Sequence, residues 1–406
     1  MPGPHVVRLS SSRHPALPAP RMGLTLIACL IMVACRNEAT SPSPRPFVVA
    51  SISTGSPNCA LAPGGAAYCW GDNSGGELGT GSADTLPHRR PEAVIGGLIF
   101  QALAGGVDNN CGITIGGAAY CWGWGPNGEL GNGTADTIPH AVPVPVSGAL
   151  TFQDLTDGGD HTCGITTSGA TYCWGGNSVG DLGTGDSVPH TTPVLVGGGL
   201  TFRMISAGDG QTCGVTAGGA AYCWGSNDVG QLGSGDTLPH ATPVPVAGGQ
   251  TYQSVSAGGG HACGATTSGA AYCWGWNLTG QLGNGTTVNS SRPVPVSSAM
   301  TFRSVAVGGM TTCAVTTAGA ALCWGANGYG DLGIGVADGN PHAVPSSVSG
   351  GLTFESLSIA DFGPVCGATK DGAAFCWGRN WQGELGNGGM SDRSVPTPVV
   401  TPDSAT

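Results

Sequence analysis

The chain has 406 residues, of which 74 are glycine and 29 proline, and only 9% are charged. Its formal net charge is −11 and Lys370 is the sole lysine, so the surface repels polyanions, which excludes non-specific nucleic-acid binding. Glycine and proline at about a quarter of the residues would suit disorder if scattered, but they recur at set offsets and therefore read as turns.

The N-terminus carries Arg8, Arg13 and Arg21, then the apolar run Leu24 to Ala34, then Cys35 and a polar segment from Arg36 to Pro46. This is the layout of a secretory signal. The apolar run has 11 residues, too few to span the roughly 30 Å hydrocarbon core of a bilayer as a helix. Met32-Val33-Ala34-Cys35 resembles a bacterial lipobox, in which the cysteine is lipidated and becomes the new N-terminus. Methionine departs from the usual leucine there, and ordinary signal cleavage near Ala34 is the alternative. Met22 is a second candidate start. Loss of residues 1–34 removes three arginines and no acid, taking the charge from −11 to −14. Residues 41–46, alternating Ser and Pro before Arg45, suit a short extended tether.

Beyond this point a cysteine followed ten residues later by Cys-Trp-Gly occurs seven times. The pairs are Cys59 with Cys69, Cys111 with Cys121, Cys163 with Cys173, Cys213 with Cys223, Cys263 with Cys273, Cys313 with Cys323, and Cys366 with Cys376. The second cysteines are separated by 52, 52, 50, 50, 50 and 53 residues. One unit is repeated, and the repeat decides the fold.

In the third copy the apolar pieces around Phe152, Ile165 and Tyr172 are strand-length, β-prone and bounded by glycine, while nothing holds a helical apolar period for three turns. Thr167-Ser168-Gly169 lies midway between Cys163 and Cys173, and the glycine supplies the positive φ of a three-residue hairpin loop. The cysteines then face each other across the hairpin within disulfide reach. Seven intra-hairpin disulfides follow, each worth under ~3 kcal/mol by chain entropy, and the export signal places them where disulfides persist. Reduced cysteines packed between sheets are the alternative. The proline-rich piece ending Pro193-Val194-Leu195-Val196 belongs on an edge strand. Three or four short strands per unit and seven units predict an all-β chain, a seven-bladed β-propeller with one blade per repeat of about fifty residues. The organisation expected is a signal peptide over 1–35, a tether over 36–46, the propeller over 47–400 and a tail over 401–406. Phe47-Val48-Val49 is expected to match Phe152, and the C-terminal segment to complete the first blade.

Ser256-Ala257-Gly258-Gly259-Gly260-His261, Tyr272-Cys273-Trp274-Gly275-Trp276-Asn277, Gly280-Gln281-Leu282-Gly283-Asn284-Gly285 and Pro293-Val294 resemble the repeat of the regulator of chromosome condensation (RCC1) family over residues 47–400. The resemblance implies a seven-bladed propeller; the paired cysteines depart from the family's usual pattern. The family's name-giving activity, guanine-nucleotide exchange on a small nuclear GTPase, relies on an inserted hairpin for which the even spacing leaves no room. Secreted bacterial members of the fold bind proteins through a propeller face, so a binding role follows by analogy.

Catalysis needs residues that break the repeat symmetry and converge. His88, His140, His190, His240 and His342 recur at equivalent positions after proline, and a ring so wide cannot ligate one metal. Asp84, Asp136, Asp186, Asp236 and Asp338 cap their own turns. His161 and His261 read as hydrogen-bonding turn residues without a nucleophile beside them. The informative columns follow each Trp-Gly, where Asp72, Trp124, Gly176, Ser226, Trp276, Ala326 and Arg379 stand in the first, with Asp228, Trp381, Tyr329 and Gln382 just beyond. Trp and Arg are frequent interface anchors, so Trp124, Trp276, Tyr329, Arg379 and Trp381 are the expected recognition residues on one face. The function expected is non-catalytic binding or scaffolding of a protein or glycan by a monomer outside the bacterial cytoplasm, without a cofactor or nucleic acid, touching the membrane through lipid on Cys35 alone. Nucleotide exchange is the alternative, and a propeller lyase or hydrolase, which needs an asymmetric polar cluster at one mouth of the channel, is the third.

Overall fold

The computed structural model describes residues 46–361 and 363–402. The signal segment, Cys35 and all of the tether but Pro46 lie outside them, as do residues 403–406 of the tail. Among the described residues there is no helix, and 28 strands form seven four-stranded antiparallel sheets, the blades of a β-propeller.

The third blade shows how each is made. Its strands are Phe152–Asp157, His161–Thr166, Thr171–Gly175 and His190–Leu195, paired in chain order. The middle hairpin turns at Gly169, whose φ of 88° is the left-handed conformation that glycine tolerates. This register sets Cys163 opposite Cys173. The same register recurs in every blade, and each expected pair is a disulfide rather than two packed thiols. Cys59 is bonded to Cys69, Cys111 to Cys121, Cys163 to Cys173 and Cys213 to Cys223. Cys263 is bonded to Cys273, Cys313 to Cys323 and Cys366 to Cys376. Their Cα atoms are 4.0–4.1 Å apart, closer than the usual bridge because directly opposed strand residues approach so nearly. The fourth strand carries proline on the outer edge, where one neighbour and its ladder are missing.

Apolar side chains collect between blades. At the seam of the third and fourth blades, Cys163, Cys173, Leu182, Phe202 and Trp224 form one buried cluster. Each repeat tryptophan also donates its indole N–H across the seam to the carbonyl just before a leucine of the preceding blade, as from Trp224 to Asp181 at 2.9 Å and from Trp377 to Asp331 at 2.9 Å. Trp70 of the first blade reaches Glu384 of the seventh at 2.8 Å, so the same bond closes the ring. Inner strands of all seven blades line a central channel.

Closure differs from the sequence expectation. All four strands of the first blade lie within residues 51–93, and the C-terminal strand Arg393–Pro398 is the edge of the seventh blade. Each repeat begins with its innermost strand, so every blade owns its edge and the chain ends need only meet at a seam. There Phe47 N–H donates to Val399 O at 2.8 Å and Ala374 N–H to Phe47 O at 2.9 Å, while the Phe47 ring is buried against Tyr68, Trp70 and the Cys366–Cys376 bridge. Val49, rather than Phe47, makes the backbone bond to Gly372 that Phe152 makes to Gly117.

Candidate functional site

The repeated histidines are architectural. His88, His140, His190, His240 and His342 each approach the aspartate four residues earlier at 3.1–3.6 Å. Those aspartates accept backbone N–H bonds two residues on, as Asp84 does from Leu86 at 2.9 Å and Asp338 from Asn340 at 2.9 Å. His161 and His261 are fully buried and bond across the next seam, to Thr212 Oγ1 at 2.7 Å and Thr312 Oγ1 at 2.8 Å. Burial lowers the pKa of His261 to about 3, so it stays neutral. Among the described residues no three His, Cys, Asp or Glu side chains are placed to hold a metal.

The loops after each Trp-Gly emerge on one face, and it is there that the repeat symmetry breaks. Tyr329 of the sixth blade and Trp381 of the seventh pack edge to face, with ring centroids 5.1 Å apart. The Arg379 guanidinium lies 5.4 Å from the Trp381 ring, and its Nε is 3.4 Å from Glu384 Oε1. Glu384 also accepts from Gln382 N–H at 2.7 Å, which fixes the loop that presents Trp381. These three side chains border a cavity of about 330 Å³ between the sixth and seventh blades, closed by Met310, Ile359, Asp331 and Asp361. Water reaches the apolar rim: Trp381 is 53%, Tyr329 42% and Met310 40% exposed.

Of the five expected recognition residues, the fold brings together Tyr329, Arg379 and Trp381. Trp124 and Trp276 do not line the cavity: Trp124 packs on Gly75 of the first blade and Trp276 on Gly260 of its own. Both are half-buried.

The column reading missed Met310, Asp209 and Asp361. Their signal was present one turn upstream, where Asp209 and Asp361 interrupt a column that holds Gly159, Gly259 and Gly309 in other blades. The Asp361 carboxylate sits over Gly259, and its carbonyl accepts from Gly309 N–H at 3.0 Å. Burial first, and repulsion from Asp209 second, push Asp361 up to about 7. Burial raises Asp331 to about 6. Asp209 is raised by burial and then by Asp160, and Asp108 by burial and then by Asp72. Acids from several blades therefore crowd this end of the propeller, with Arg379 the one cation among the residues lining the cavity. An asymmetric polar cluster does exist, with Asp331, Asp361 and Arg379 at one cavity.

A match to the RCC1-like domain spans residues 67–406. The ultraviolet-B receptor UVR8 of Arabidopsis thaliana is 29% identical over 134 residues, which cover 33% of this chain and 30% of the receptor, so the chain matches under a third of that relative's length. Human WBSCR16 superposes with a TM-score of 0.74 at 19% identity, over 83% of this chain and 94% of that one. Prp20p of Saccharomyces cerevisiae, described as binding Gsp1p and histones, superposes with a TM-score of 0.71 at 19% identity, over 82% and 85% of the two chains. These relatives are eukaryotic, and at such identities the structures speak for the fold alone. With seven cysteine-stapled repeats closed into a seven-bladed ring and a family match across most of its length, the chain belongs to the RCC1-like domain family.

Proposed function

We propose that this protein is a non-catalytic binding propeller that recognises a protein partner through the loop face bearing Tyr329, Arg379 and Trp381. The observation that carries this reading is the convergence of two exposed aromatic rings and an arginine on one cavity, in a molecule whose blades are otherwise near-copies. Trp, Tyr and Arg are enriched among interface anchors, the two rings because they bury large areas with few rotatable bonds. Protein binding also agrees with what Prp20p is described as doing. The test is retention of a partner from the host's envelope extract by the wild-type protein and its loss by a Tyr329→Ala/Trp381→Ala double variant of unchanged melting temperature. Equal retention would place the binding surface elsewhere.

The proposal extends to the compartment. Seven disulfides need an oxidising environment, and the N-terminal sequence supplies an export signal with Cys35 as its lipidation point. The mature chain then hangs from a bacterial membrane on residues 36–46 as a monomer. Intact mass before and after reduction with alkylation tests this: loss of residues 1–34, added acyl mass and thiols that alkylate only after reduction are expected. An unprocessed chain with fourteen free repeat thiols would bring nucleotide exchange forward instead.

A further inference from the structure

We infer that the cavity between the sixth and seventh blades takes an apolar side chain of a basic peptide segment, whose lysine or arginine neighbours lie against Asp361 and Asp209. The inference rests on the reading of this face as a binding surface and adds the chemistry of its partner. The cavity, at about 330 Å³, is at the small end of ligand pockets, which run from about 300 to 1,000 Å³. That is room for one or two side chains of an inserted segment. Its walls are apolar on one side, with Met310, Tyr329, Trp381 and Ile359, and acidic on the other, with Asp331 and Asp361.

Charge decides the class of occupant. Asp361 is repelled by Asp209 of the fourth blade, which stands just outside the cavity lining, and shares the cavity with Asp331 of the sixth blade and Arg379 of its own. Arg379 is already engaged by the Trp381 ring and by Glu384, so it does not neutralise the acids across the cavity. Asp209 in turn is crowded by Asp160. An arriving ammonium or guanidinium relieves this repulsion, whereas an acidic segment adds to it, and such complementarity sets specificity more than raw affinity. A neutral glycan would stack on the aromatic rings and donate hydroxyls to the carboxylates, but would leave their mutual repulsion uncompensated.

The same acids predict how binding responds to pH. Asp361 titrates near 7 through burial and its neighbour Asp209, so a cation finds its partner ionised above that pH and protonated below. Affinity for a basic segment rises several-fold between pH 5.5 and 7.5.

The test uses the mature protein and three fluorescent probes, measured by anisotropy: a lysine-rich nonapeptide with one central leucine, its counterpart with glutamate for lysine, and maltoheptaose. The lysine peptide is expected to bind, to weaken with salt, and to lose about tenfold in affinity, 1.4 kcal/mol, in the Asp209→Asn/Asp361→Asn double variant. Asparagine keeps the shape and removes the repulsion, so the variant folds at least as well. Equal binding of lysine and glutamate peptides, an unaffected double variant, or binding of maltoheptaose alone would each overturn the inference. If the peptides fail while the Tyr329→Ala/Trp381→Ala variant still loses its envelope partner, the face is a binding surface for a partner that is not basic. If both fail, the face is not the binding surface.

Discussion

Glu77 offers a direct test of how burial shapes this propeller. The residue is 2% exposed, and its carboxylate accepts the Gly75 N–H at 2.9–3.0 Å through both oxygens. Burial, reinforced by Asp72 and Asp108, raises it from 4.5 to about 7. A group whose folded pKa lies above its unfolded value holds its proton more tightly when folded, so stability falls as pH rises from 4.5 through 7. At pH 8 the ionised carboxylate costs the folded state about 3 kcal/mol. Two other blades carry glutamine at the equivalent place, where Gln231 Oε1 accepts Val229 N–H at 3.0 Å and Gln281 Oε1 accepts Thr279 N–H at 2.9 Å. Glu77→Gln therefore keeps the backbone contact and removes the charge. For a propeller of this size, 3 kcal/mol is about 4 °C in melting temperature. Calorimetry at pH 8 is expected to show the variant melting about that much higher, with the gain gone at about pH 3, well below the unfolded value of 4.5, where both states of the parent hold the proton. A gain of equal size at both pH values, or a loss at pH 8, would refute the reasoning.

Other consequences are smaller in scope. Trp377→Phe removes the sole side-chain donor to Asp331 O among the described residues, whereas Glu77 O keeps Asn110 Nδ2 when Trp122 is changed; denaturant unfolding should show Trp377→Phe losing about 1–3 kcal/mol and more than Trp122→Phe. Replacing Cys213 and Cys223 by alanine opens one hairpin bridge and should lower stability by up to ~3 kcal/mol, a difference that disappears when both proteins are fully reduced. Phe47→Ala empties the closing seam and should cost about 3–5 kcal/mol; a melting temperature equal to that of the parent would show that the ring does not depend on this contact.

What the sequence determined by itself is whatever one repeat can hold. The hairpin around Gly169, the facing of Cys163 and Cys173 and the proline-bearing edge all depend on residues within one unit of about fifty, and seven near-copies make that local signal unmistakable. The loop columns likewise named Trp124, Trp276, Tyr329, Arg379 and Trp381, because each breaks a pattern set by its neighbours, without separating the three that share a cavity from the two that do not. What only the tertiary structure decided lies between blades. The tie from Trp70 to Glu384 joins residues 314 apart in sequence. Asp209 and Asp361 come from the fourth and seventh blades close enough to repel each other, and Trp124 and Trp276 lie against glycines instead of the cavity. Closure of the ring sets these contacts, since the angle at which successive blades stack determines which loops converge, and no single repeat encodes that angle.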